Sequence, residues 1–163
     1  MPGFRKYAAT VAVFASGLFL ALLIAVFGVI SLLAGIEVIA DPRAGELAGP
    51  VATAAATLLV IGCLLLIALR IPESRQRVAP LASFGIGVGA YLAWSLFAAL
   101  AFLFGRGDPV GALIFFGGIL LGPFAISAGV IAFVIALLFT VALASRVADK
   151  GRPRWPWEKY EDE

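Results

Sequence analysis

The sequence predicts an all-α membrane protein with four transmembrane helices in a bundle. Three observations predict it. Of the 163 residues, 63% are hydrophobic and only 13% are charged, where an average soluble domain carries about 25% charged residues. The apolar residues fall in four long runs that hold no charge, and the charged residues gather in the segments between and after them. Runs of ~18 or more apolar residues are what a helix needs to cross a hydrocarbon core about 30 Å thick.

The first run extends from about Tyr7 to Ile36, behind Arg5 and Lys6 and ahead of the loop EVIADPRAGELAGP. A basic start and a Val38-Ile39-Ala40 sequence resemble a signal peptide. The apolar stretch, however, is about twice the ~7–15 residues of a signal h-region. It is read as an uncleaved signal anchor and first span. The second run, Val51 to Ile71, stops at RIPESRQRVAP, and the third, Pro80 to Phe104, stops at the turn GRGDP.

The last apolar region, Val110 to Ser145, would be about 54 Å long as one helix, too long for a simple crossing. Asp108 is a good N-cap and Pro109 a good first helical residue. The expectation is one long helix kinked near Gly122-Pro123, where proline removes a backbone donor and clashes with the preceding turn. The alternative is a short re-entrant or interfacial piece, residues 110–121, ahead of a span that starts at Pro123.

Four spans put the N-terminus, the middle loop and the tail on one side. That side then holds every basic residue except Arg43 and Arg106. The positive-inside rule makes it the cytoplasmic side for both termini, in a bacterial inner (plasma) membrane. Residues 1–146 form the transmembrane domain and residues 147–163 a cytoplasmic juxtamembrane tail. The two halves also share a pattern, with GPVATAAATLLVIGCLLLIALR in the first set against GPFAISAGVIAFVIALLFTVALASR in the second. A duplication of that kind would be a parallel repeat about an axis normal to the membrane.

Several function classes are disfavoured. The chain has no histidine, the commonest metal ligand and general base. Its one cysteine, Cys63, lies inside a span and cannot form an intramolecular disulfide. No Asp, Glu, Lys or Arg interrupts the spans, whereas proton-coupled carriers need such groups there. The small multidrug exporters rely on a membrane-embedded glutamate, and Glu37 lies only at the edge of the first span. The expectation is therefore no enzyme, no catalytic residue, no cofactor, no metal and no nucleic acid.

Small residues spaced by four let helix backbones approach closely. Candidate packing faces are Gly17, Ala21 and Ala25 in the first span, Gly85, Gly89 and Ala93 in the third, and Gly118 with Gly122 and Ala125 with Gly129 in the last region. They serve either packing within one chain or a partner interface. The segment FGIGVGAYLAW holds a glycine pattern like that of dinucleotide sites, but at the start of a membrane helix rather than after a strand, so it is read as packing. Tyr91, Trp94 and Ser95 fall on one side of the third span, where they pack between helices or line a small apolar pocket.

The tail opens with RVADKGRPRWPW, in which Arg152, Arg154, Trp155 and Trp157 are candidate interfacial anchors on an anionic leaflet. It closes with EKYEDE, an acidic end expected to project into the cytoplasm without order. In its length, its loop pattern and its PRWPWE stretch the chain resembles the small uncharacterised four-helix membrane proteins of actinobacteria. That resemblance implies no activity and no site residue. The partners expected are the lipid bilayer and a membrane protein or a second copy of the chain. The expected role is that of a non-enzymatic accessory or interaction protein. The alternative is a small homodimeric permease for an apolar or amphipathic solute.

Overall fold

The computed structural model describes residues 2–39, 44–72 and 77–147. These form five helices: α1 (Pro2–Ala34), α2 (Ala48–Arg70), α3 (Pro80–Arg106), α4 (Pro109–Leu120) and α5 (Pro123–Val147). No strand occurs among the described residues. Helices α1, α2, α3 and α5 are long and apolar enough to cross a membrane, with mean hydropathies of 2.8, 2.6, 1.9 and 2.7 over their most apolar windows. The predicted class of four long apolar helices is the one observed.

Local chemistry sets the helix limits. Pro80 opens α3, where its missing N–H costs nothing. Gly107 closes it in the left-handed region, φ 68°, and its N–H donates to the Leu103 carbonyl. Asp108 follows at once as the N-cap of α4, its carboxylate accepting from the Gly111 N–H at 3.0 Å, and Pro109 takes the first helical position. One chain reversal therefore needs only two residues between helices.

The helices are apolar on every side, so the faces that meet are selected by size. On α2 the buried residues are Ala48, Ala52, Ala56, Val60, Leu64 and Ala68, one at every fourth position. On α1 they are Phe4, Ala8, Ala12, Ser16, Phe19, Leu23 and Phe27, with a single step of three. A spacing of four follows the i±4 ridges, which favour crossings near −40 to −50° over the shallow packing of heptad bundles. Alanine lets the backbones come close, and the large Phe19, Leu23, Leu64 and Leu143 fill the gaps between the alanine lines. The most extensive contacts are those of α3 with α5 and α2 with α3.

Individual contacts fix the directions of the helices. Arg146 stands over the Tyr7 ring, 4.0 Å from guanidinium carbon to ring centroid, so the start of α1 lies beside the end of α5. Leu59 approaches Gly89, and Ala48 clusters with Phe102 at the far end of α3, so α2 and α3 are antiparallel. The N-terminus of α1 and the C-terminus of α5 thus share one end of the bundle. That end carries Arg5, Lys6, Arg70, Arg77 and Arg146, while Glu37, Glu46, Arg106 and Asp108 lie at the other.

The last apolar region departs from the single kinked helix expected of it. It is two helices, α4 and α5, separated at Leu121 and Gly122. Phe115 stacks on Phe102 and Leu120 reaches Tyr91, so α4 runs antiparallel along the C-terminal half of α3. Gly129 and Phe133 then meet Tyr91 and Gly87, so α5 continues in the same direction along the N-terminal half. The break falls where the alternative reading put it, with the shorter apolar helix α4 ahead of α5, which starts at Pro123 and is by itself long and apolar enough to cross a membrane.

Candidate functional site

The break is the feature of the bundle that most resembles a site. Tyr91 lies eleven residues from Pro80 and fifteen from Arg106, which places it roughly 17 Å and 22 Å along the axis from the two ends of α3. The break therefore lies beside the middle of α3. Backbone groups freed by such a break need new partners. Here the Tyr91 hydroxyl donates to the Leu120 carbonyl at 2.7 Å. The Gly122 N–H closes a tight turn on the Ile119 carbonyl at 2.9 Å, and the Ile126 N–H donates to the Gly122 carbonyl at 3.3 Å. Pro123 brings no N–H to satisfy, and the Ser127 hydroxyl donates to the Pro123 carbonyl at 2.6 Å.

Tyr91 differs in this from the other hydroxyls. Those of Ser16, Thr57, Ser83, Ser95 and Thr140 donate to carbonyls three or four residues earlier in their own helices, whereas Tyr91 ties α3 to α4. A groove of about 440 Å³ opens next to this bond, floored by Gly87 and Gly129 and walled by Phe84, Tyr91, Leu121 and Phe133. Its lining is apolar apart from the tyrosine hydroxyl.

The floor of the groove is also the tightest helix contact. A β-carbon added to Gly87 would lie 2.8 Å from the Phe133 Cβ and 2.9 Å from the Gly129 carbonyl oxygen. One added to Gly129 would lie 2.9 Å from the Tyr91 Cβ and 3.1 Å from the Gly87 carbonyl oxygen. Both helices need glycine here, each facing the other's backbone. The sequence placed Gly129 on a small-residue face but gave Gly87 no partner. Its signal was present in the triplet Gly85, Gly87, Gly89, from which spacing alone cannot select the middle member.

Trp94 and Ser95, grouped with Tyr91 by spacing, do not line this groove. Both are buried in the core. The Trp94 ring meets Phe27 edge to face at 5.7 Å, and Phe27 meets Phe124 in the same way at 5.2 Å. The indole N–H of Trp94 has no acceptor among the described residues.

The predicted packing residues separate into three groups. Gly17, Ala21 and Ala25 all lie on the exposed side of α1, and a β-carbon at Gly17 would meet nothing within 4 Å. Gly85 and Gly118 are likewise exposed with open space around them. Gly89 and Ala93 are half-buried, and Gly89 faces Leu59 of α2 at ordinary contact distance, 3.4 Å. Gly122 sits in the break itself. Arg152, Arg154, Trp155 and Trp157, with the tail that carries them, lie outside the described residues.

A second groove, about 770 Å³, opens between α1 and α2 and is lined by Leu20, Phe27, Gly28, Ser31, Pro50 and Thr53 among others. Among the described residues, no group of three or more metal-ligating side chains is present.

Comparison with known families places this arrangement of apolar helices. The chain belongs to DUF6121, a family of unknown function. The family's model matches residues 1–163, the whole length of the chain. No curated protein and no solved structure matches the chain. DUF6121 membership thus agrees with the resemblance to uncharacterised proteins and carries no activity to the residues above.

Proposed function

We propose that this protein is a non-enzymatic, multi-pass component of a bacterial plasma membrane, of the actinobacterial kind it resembles, that binds another transmembrane helix through the outer face of α1. The termini and the basic end face the cytoplasm, in keeping with the positive-inside rule. One observation carries the reading. Gly17, Ala21 and Ala25, with Gly28 completing the line at the next turn, form a small-residue track that none of the described helices covers. Small residues at this spacing favour close backbone approach, the main source of attraction between helices in lipid. On a face that meets only lipid tails, larger side chains would serve as well.

The test is the mass of the assembly extracted with its native lipid. Wild-type protein should carry a second chain, either another copy or a partner, in fixed ratio. Ala21→Leu should release it, because Ala21 is exposed and the change leaves the bundle core untouched. A wild-type monomer, or an assembly that Ala21→Leu leaves intact, would refute the reading.

A second reading, a small permease or carrier for an apolar or amphipathic solute, is favoured by the break between α4 and α5 and the groove beside it. Broken helices near the midplane mark the binding sites of many transporters, and the groove beside Tyr91 is within the ~300–1,000 Å³ range of small-molecule sites. Trp94, buried in the core, has no part in it. Under this reading, blocking the groove with Val130→Trp should abolish solute movement in vesicles while leaving assembly mass unchanged.

A further inference from the structure

The two ends of the bundle differ in charge. Every carboxylate of the described residues, Glu37, Glu46 and Asp108, sits at the end where α1 finishes, α2 begins and α3 turns into α4. The opposite end holds Arg5, Lys6, Arg70, Arg77 and Arg146, and no described carboxylate lies there.

At the α1–α5 corner of that end the cations are organised. Tyr7 is half-buried and packed against the core cluster, which fixes its ring. Arg146, exposed in the last turn of α5, stands over this ring at 4.0 Å. A ring contact engages the cation through the π face and uses none of its five N–H donors. The guanidinium is therefore held by its face, and among the described residues its hydrogen-bonding edge is not engaged. Arg5 and Lys6 immediately precede Tyr7 and are both exposed, and at 100° per residue Lys6 lies about a quarter turn around α1 from Tyr7 while Arg5 is on the far side.

This corner also lies where apolar helix gives way to charge, the level of the lipid headgroups. Guanidinium groups match phosphate oxygens in geometry as well as charge. A zwitterionic headgroup would bring its own cation to an end whose described residues carry cations and no carboxylate, whereas an anionic one would not.

We propose that the corner formed by Arg146 on Tyr7, with Lys6 the next cation around α1, is a binding site for the headgroup of an anionic phospholipid. The site is independent of the α1 track, which lies within the span.

The test uses full-length, delipidated protein titrated with phosphatidylglycerol or phosphatidylcholine of the same chain length, with bound lipid counted by native mass. Phosphatidylglycerol should bind in preference to phosphatidylcholine. Arg146→Gln should weaken phosphatidylglycerol binding about fivefold, the worth of one basic residue near an anionic surface. Arg146→Lys keeps the charge without the forked donors and should fall between the two, and Tyr7→Leu should behave like it. Arg106→Gln, at the other end, should change nothing. Four results would overturn the proposal: equal binding of the two lipids, no effect of Arg146→Gln, an equal loss in Arg106→Gln, or displacement of phosphatidylglycerol by inorganic phosphate at matched concentration.

Discussion

Replacing Gly129 by alanine should force α3 and α5 apart. The added β-carbon would lie 2.9 Å from the Tyr91 Cβ and 3.1 Å from the Gly87 carbonyl oxygen. Carbon atoms in good contact stand about 3.5–4.0 Å apart, so the helices must separate by roughly 0.6–1 Å. Neither obstacle can rotate away, since one is a β-carbon and the other a backbone atom. Overpacking of this kind costs about 1–3 kcal/mol, and the better helix propensity of alanine returns up to ~1 kcal/mol. A net loss of about 1–2 kcal/mol lowers the melting temperature by roughly 2–8 °C for a chain of this size. The comparison is Gly85→Ala on the same α3 helix, where a β-carbon meets nothing within 4 Å and propensity alone should hold or raise stability. Thermal unfolding of both variants in one detergent, followed by helical circular dichroism, measures the difference. If Gly129→Ala is as stable as wild type, or Gly85→Ala is equally destabilised, the close glycine contact is not what holds α3 against α5.

Other outcomes follow from the same geometry. Tyr91→Phe leaves the Leu120 carbonyl without its donor beside the middle of α3 and should cost about 1–3 kcal/mol, read as a lower melting temperature and as faster hydrogen exchange of the Gly122 and Ile126 amides. Trp94→Phe removes an indole N–H that has no described acceptor. It should therefore leave stability unchanged or raise it, whereas Trp94→Ala opens a cavity worth about 3–5 kcal/mol. Gly17→Ala, in open space on α1, should leave the stability of the single chain intact.

How much of this was legible in the sequence depends on what each feature required. The number and length of the spans needed only composition and run length, and the α3–α4 turn needed only Gly107, Asp108 and Pro109, whose preferences are local. The place of the break was legible in Gly122-Pro123, but its nature was not. A kinked helix and a broken one differ by a bond from Tyr91, twenty-nine residues earlier, to the Leu120 carbonyl, and no local pattern shows that bond. The faces were the least legible. Helices that are apolar on all sides give no polar contrast, and α1 carries small residues both inside, at Ala8, Ala12 and Ser16, and outside, at Gly17, Ala21 and Ala25. Spacing picked out the outer set and missed the inner one, which is the set the bundle buries. The same holds for Gly85, Gly87 and Gly89, of which α5 selects Gly87.

The most direct test of the central claim, that the outer track of α1 is covered by another helix, is site-specific photo-crosslinking in intact membranes. A benzophenone side chain is placed in turn at Gly17, Ala21 and Ala25, and at Leu22, which is exposed but turned about 100° from Ala21. The account predicts protein adducts from the three track positions and lipid adducts alone from Leu22. Lipid adducts alone from all four positions would contradict it.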